Sequence, residues 1–398
     1  MKNWLTILAL GLLLYGCKEA ASKTEKPVAE DSLNYYPNTP AKLDKAAFRH
    51  YYRLVSGYFD SMLLRRGFSG GMLVAKNGEI VYEDYQGFAD SRKRIAITDS
   101  TSFHIASTTK TFTGVAILHL VQEGKLSLED SIQHFFPGLP YPGITVKMLL
   151  NHRSGLPNYL YFITPKNWKS DAYVTNEDVL RYLYTEKPVR TASPDRKFSY
   201  CNTNFVMLAL IIEKITGVSY PDYIRQTIFG PLKMDHSFVF RASDSTAVYP
   251  SFNPNGTVWA NDIFEGTYGD KNIYSTPRDL LKWDQALYTE QLVSKALLDS
   301  AFSPYSNERP SIHNYGLGFR MLNFPNGKRV IYHFGRWHGF NAAFARLTDE
   351  QVTIVILGNK FNRNIYSSAT NSYDLFGHYR DTDTADEDDG SPESAGKR

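Results

Sequence analysis

The stretch Phe68-Ser69-Gly70-Gly71-Met72-Leu73-Val74-Ala75-Lys76-Asn77-Gly78-Glu79-Ile80-Val81-Tyr82-Glu83-Asp84-Tyr85-Gln86 sets the fold class. Its arms, 68–75 and 79–86, read as strands around Asn77-Gly78, and an Asn-Gly pair is what a type I′ turn asks of two central residues with positive φ. The same device recurs far along the chain, where 319–324 and 328–334 flank Asn326-Gly327 and a third strand is expected over 351–358. Ahead of the first hairpin, Phe48, Tyr51, Tyr52, Leu54, Val55, Phe59, Met62 and Leu63 recur at helical spacing. Between the two strand groups, 108–287 reads as mostly helical. It holds an apolar helix over 112–122 stopped by Gly124 and another over 204–215 stopped by Gly217. Strands at both ends with helices between imply an α+β fold: one antiparallel sheet assembled from both ends of the domain and flanked by helices, with a helical lobe inserted.

The 398 residues are 42% apolar and 14% aromatic, enough for one large core or two packed lobes. A formal net charge of +3 leaves no electrostatic footprint for nucleic acid and points to small-molecule or peptide substrates. Met1-Lys2-Asn3 precede an apolar run over 4–15, too short to span a bilayer as a permanent helix and therefore read as a signal peptide. Leu14-Tyr15-Gly16-Cys17 resembles a bacterial lipobox, which implies lipid attachment at Cys17, a membrane anchor, and a place in the cell envelope facing periplasm or exterior. The expected organisation is a signal segment at 1–17, a disordered linker at 18–44, one domain at 45–378, and an acidic disordered tail at 379–398. Cys201 is the only other cysteine, so a lipidated Cys17 leaves no intramolecular disulfide.

Chemistry concentrates in three short patterns. In Phe103-His104-Ile105-Ala106-Ser107-Thr108-Thr109-Lys110-Thr111-Phe112, a serine stands where an extended stretch turns into a buried helix, and Lys110 follows it on the same helical face. A lysine among apolar neighbours gives up its charge readily because desolvation disfavours the ammonium, so it can take the serine proton. Spacing alone leaves Ser107 with two readings, nucleophile and plain N-cap, since Ser394-Ala395-Gly396-Lys397 repeats the pattern in the tail. Tyr200-Cys201-Asn202 opens the second apolar helix; Tyr36-Pro37-Asn38 and Tyr305-Ser306-Asn307 match it elsewhere without that placement. His333-Phe334-Gly335 is the only His-x-Gly in the chain, and a glycine there permits close backbone approach of a ligand. His152, His333 and His338 lack carboxylates at suitable spacing, so no metal site is expected.

Taken in order, Ser107-x-x-Lys110, Tyr200-x-Asn202 and His333-x-Gly335 resemble the three motifs of the serine β-lactamase and penicillin-binding-protein family, in its class C-like branch. Leu149-Leu150-Asn151-His152-Arg153-Ser154-Gly155-Leu156-Pro157, Ile228–Met234, Ile273–Leu280 and Tyr315–Phe319 are also similar to family segments, so the resemblance spans roughly 50–375. It implies a β-lactamase/transpeptidase-like fold with the active site between sheet and helical lobe, and no cofactor. It further implies Ser107 as nucleophile, Lys110 and Tyr200 as general base and acid, and Asn202 bonded to Lys110 or to a substrate amide. The oxyanion hole would be the backbone N–H of Ser107 and of Arg336. His333, Gly335 and Arg336 would face the substrate. Where penicillin-interacting relatives carry Lys-Thr-Gly, this chain has His333 and Phe334, so the hydroxyl is gone. The expectation is an esterase or D-amino-acid peptidase rather than an efficient β-lactamase, with a substrate carboxylate met by the Arg336 side chain. A catalytically weak penicillin-binding or cell-wall-sensing lipoprotein is the alternative. Tyr161, Trp168 and Trp337 are candidates for the pocket wall and equally for the core. Replacing Cys17 by serine is expected to release the protein from the membrane fraction of expressing cells, checked by fractionation; unchanged membrane association would remove the anchor.

Overall fold

A computed structural model of the chain describes residues 41–244 and 248–379. The expected signal segment with Cys17, nearly all of the linker, and the tail beyond Tyr379 lie outside the described residues. Seven strands form the main sheet: β1 Gly70–Lys76, β2 Glu79–Gln86, β3 His313–Tyr315, β4 Arg320–Asn323, β5 Arg329–Trp337, β6 Phe340–Leu347 and β7 Val352–Gly358. Their order is β2-β1-β7-β6-β5-β4-β3, and all neighbours are antiparallel. β1 lies along β7 from Gly70↔Gly358 to Lys76↔Val352, so the two ends of the domain are knitted together.

Asn77 and Gly78 both take positive φ, as the first hairpin requires. At the second turn only Gly327 does so, and Phe324 N–H bonds to Lys328 O across a three-residue loop, the form in which glycine serves as the left-handed bulge residue. The sequence reading ended a strand at His333-Phe334-Gly335. The structure instead carries β5 through to Trp337 and returns along β6, a strand that reading missed. Every residue of β6 is buried, Asn341 and Arg346 included, one polar residue on each face, so no apolar–polar alternation betrays it.

One sheet face is covered by helix α1, Lys45–Met62, and by a helix at Asn364–Asn371; Val55, Phe59, Met72, Val74, Ile354, Ile356 and Ile365 share a single apolar cluster there. The other face carries the helical lobe, built on α2 (Thr109–Gln122), α3 (Asn202–Thr216) and α4 (Pro277–Ala286). α2 is buried on all sides rather than along one stripe, which makes it the lobe's central helix. Phe112 stacks on Trp283 of α4 at 4.2 Å. α4 is pinned to the sheet by the buried pair Arg346 Nε to Asp284 Oδ1 at 2.5 Å. A short three-stranded ribbon, Phe103–His104 beside Ile273–Ser275 beside Phe238–Val239, brings the segment before α2 against the chain near residue 270.

Packing extends slightly past the expected limits of 45 and 378. Asp44 caps α1 by accepting from Ala46 and Ala47 N–H at 2.8 Å each, Leu43 N–H bonds to Glu79, and Tyr379 is buried against the α1 face. Among the described residues no helix is long and apolar enough to cross a membrane. Phe59, wholly buried between α1 and the sheet, is expected to cost about 3–5 kcal/mol when cut to alanine. Denaturant unfolding checks this, and a loss below about 1 kcal/mol would show that α1 is not part of the core.

Candidate active site

Ser107 lies in a single tight turn, Ala106–Thr108, that leads into α2. The turn is strained, because Ala106 takes φ 48°, a left-handed backbone that a Cβ disfavours. It is held from below. Ile105 N–H bonds to Ile273 O at 2.9 Å, and Ala106 N–H donates to His104 Nδ1 at 3.0 Å. His104 is buried, and that burial pushes its pKa down to about 4, so the ring is neutral. With Nδ1 accepting, its proton sits on Nε2 and is donated to Asn272 Oδ1 at 2.8 Å.

Lys110, wholly buried, reaches back along the first turn of α2. Its Nζ donates to Ser107 Oγ at 3.1 Å, Asn202 Oδ1 at 2.8 Å and Asp270 O at 2.8 Å. Three acceptors match the three N–H bonds of an ammonium. Loss of the proton shared with Ser107 would leave an Nζ lone pair directed at Oγ.

Asn202 is the first residue of α3, with Cys201 as the extended residue before it. This start brings Tyr200 under Lys110, whose Nζ lies 4.9 Å from the ring centre. The Arg320 guanidinium lies 5.1 Å from the same ring. Arg320 comes from β4, and nothing in the sequence singled it out. The Cys201 thiol donates to Leu156 O at 3.3 Å, and burial pushes its pKa up to about 11, so it is a packing group rather than a reactive thiol.

The third motif lies where β5 runs beyond its partner: pairing with β4 stops at Tyr332↔Arg320. Onto this stretch the serine turn docks, with Thr108 Oγ1 donating to His333 O at 3.1 Å. Gly335 is needed for that contact. A Cβ there would stand 2.5 Å from Ile105 O and 2.8 Å from Ser107 N, so the close approach expected for a ligand is made by the protein's own serine turn.

Two other expectations are corrected. His333 was expected to face substrate, but its ring is wholly buried, donating from Nδ1 to Phe334 O at 2.8 Å and accepting at Nε2 from the Tyr315 hydroxyl at 3.1 Å. Burial, helped by Arg320 and Lys110, holds it well below the usual histidine range, so it is a neutral group behind the wall. Arg336 was expected to meet a carboxylate, but its guanidinium lies over the Phe361 ring at 5.7 Å. Phe334 points to the α1 face and stacks on Tyr366, so the motif's middle side chain is turned away from Ser107.

The aromatic candidates divide. Tyr161 is exposed, while Trp168 and Trp337 pack against the cluster around Tyr159 and Phe264. Among the described residues, Asp262, Glu265 and His338 place ligand atoms within 4.8 Å of one another and so form a group able to hold a metal ion. His338 Nε2 bonds to Glu265 Oε1 at 2.7 Å. The sequence reading missed this group because the carboxylates stand more than seventy residues from the histidine.

The family model described as Beta-lactamase matches residues 55–376. The chain belongs to the Beta-lactamase family. It is 33% identical over 331 residues to penicillin-binding protein 4* of Bacillus subtilis, covering 78% of this chain and 72% of that protein. The crystal structure of a penicillin-binding protein from Bacillus halodurans superposes with a TM-score of 0.71 at 25% identity, covering 81% of this chain and 99% of that one. D-amino acid amidase from Ochrobactrum anthropi shares the fold at a TM-score of 0.66 and 24% identity, covering 81% and 99%. This β-lactamase-family protein is a serine hydrolase with the β-lactamase/transpeptidase-like α+β fold. Alanine at Gly335 is expected to push the serine turn out of place and slow labelling of Ser107 by a fluorophosphonate by about 100-fold; labelling at the wild-type rate would show that the turn does not depend on this contact.

Proposed function

We propose that the protein hydrolyses an ester or amide, of the D-amino-acid peptide kind, through an acyl-enzyme formed on Ser107. The observation that carries this is the convergence on one buried Nζ: Lys110 touches Ser107 Oγ and Asn202 Oδ1 and lies against the Tyr200 ring. The matches to penicillin-binding protein 4* and to the amidase fold support the same reading.

In the proposed reaction, Lys110 in its neutral form takes the hydroxyl proton as Ser107 Oγ attacks the carbonyl carbon. The oxyanion that forms is stabilised by the backbone N–H of Ser107 and of Arg336 on the open stretch of β5. The Tyr200 phenol passes a proton to the departing oxygen or nitrogen and is reprotonated from Lys110. A water then repeats the sequence on the acyl-enzyme: its proton goes to the Lys110–Tyr200 pair, its oxygen bonds to the acyl carbon, and Ser107 leaves with a proton. Asn202 holds Nζ in line throughout.

Arg320, rather than Arg336, is the cation we assign to a substrate carboxylate. It lies over the ring of the proposed acid, whereas the Arg336 guanidinium lies over Phe361. The lipid anchor at Cys17 belongs to this proposal as the device that would place such a hydrolase at the cell envelope.

A fluorophosphonate probe is expected to label the wild type and not Ser107→Ala, and turnover of a p-nitrophenyl ester is expected to fall about 1,000-fold or more in that variant. Equal labelling of both proteins would end the proposal. Binding without Ser107-dependent product from esters, D-amino-acid amides or nitrocefin would favour the sensing alternative. Arg320→Ala is expected to raise KM about 10-fold or more for a carboxylate-bearing substrate and to leave an uncharged ester unaffected, with Arg336→Ala affecting neither KM.

A further inference from the structure

Tyr200 is gripped by one residue that the mechanism above does not use. His152 accepts Ser199 N–H at its backbone oxygen at 2.8 Å and Cys201 N–H at its side-chain Nδ1 at 3.2 Å, so it bonds to the residues on both sides of Tyr200. Its ring packs on the Tyr200 ring, with centres 4.3 Å apart. We propose that His152 is the positioning residue for Tyr200, fixing the phenol relative to Lys110. The inference rests on the hydrolase reading and deepens it.

The protonation state follows from the partners. A backbone N–H can only donate, so Nδ1 is an acceptor, and Asn204 Nδ2 at 3.3 Å is placed to donate to it as well. The ring is wholly buried and held far below the usual histidine pKa, first by burial and then by the charge of Lys110. It is therefore the neutral tautomer with its proton on Nε2. Among the described residues that N–H has no hydrogen-bond partner, and it is buried among the rings of Tyr200, Tyr315 and Phe205.

Two features of the residue work against stability. An unsatisfied buried donor is costly, and an apolar ring of the same size would avoid it. His152 also takes φ 57°, a left-handed backbone that asparagine or glycine would adopt with less strain. Histidine alone offers here both an acceptor close to the backbone, for Cys201 N–H, and a flat face for the phenol ring. The segment that carries it is itself fixed to α3 by Ser154 Oγ to Asn204 Oδ1 at 2.6 Å, so the grip is rigid.

The test is a set of variants assayed on a p-nitrophenyl ester, with fluorophosphonate labelling of Ser107 as the first measurement. His152→Asn keeps an acceptor near the Nδ1 position and tolerates the backbone; kcat is expected to stay within about tenfold of wild type. His152→Gly tolerates the backbone but has neither acceptor nor ring, and is expected to lose about 100-fold in kcat with KM changed less than about threefold. His152→Phe fills the volume without an acceptor, serves where the glycine variant does not fold, and is expected to match it. In a Tyr200→Phe background, either change should cost almost nothing more, because the group being positioned is already gone. Losses that multiply with Tyr200→Phe, or wild-type kcat in both His152→Gly and His152→Phe, would overturn the inference while leaving the hydrolase reading intact. A wild-type protein that the probe does not label at all would instead bring down that reading, and this inference with it.

Discussion

An ammonium group cannot be taken out of water unless acceptors replace its hydration, and Lys110 is buried completely. Its three acceptors come from segments far apart in sequence: Ser107 one turn back, Asn202 at the start of α3, and the carbonyl of Asp270 beside the small ribbon. Satisfying one nitrogen therefore requires the serine turn, the second helix and the chain near 270 to meet at a single point. The three short motifs are thus not independent features. The first two supply Ser107 and Asn202 to the cage that makes the lysine tolerable, and the third, through Gly335, seats the turn that carries Ser107.

The sheet supplies the other side of the site by being incomplete. β4 pairs with β5 only as far as Tyr332, and the strained turn at Ala106 fits against the exposed stretch because position 335 has no side chain. Strain at Ala106 persists because His104, Ile273 and Gly335 over-determine the turn from three directions. Rigid elements, rather than loops, therefore set the position of Ser107.

Behind the site stands a wall of neutral aromatic and imidazole groups. His152 and His333 are both buried and both held in the neutral form, each within reach of the field of Lys110 and Arg320. Two cations, Lys110 and Arg320, flank the Tyr200 ring on which both lie. An arrangement of this kind favours developing negative charge at the serine and an anionic group on its ligand.

The hairpin at Asn77-Gly78, the two apolar helices with their glycine stops, and the α+β class were legible in the residues themselves, because turn chemistry and helix ends are local. So was the family, from three patterns in order, none of which would suffice alone. β6 was not legible, since a strand covered on both faces has no period to read. Side-chain direction was not legible either: His333 and Arg336 stand on the right strand, yet one ring is sealed behind Tyr315 and the other side chain is turned over Phe361. Strand alternation and the neighbours across the sheet decide such directions. Arg320, His104 and the grip of His152 on Tyr200 likewise exist only once remote segments meet. The sequence by itself determined the family, through its three short motifs, and roughly where the chain turns. The tertiary structure decided which residues face one another, because a buried charge, a backbone contact and a ring stack depend on partners that lie outside any local window of the chain.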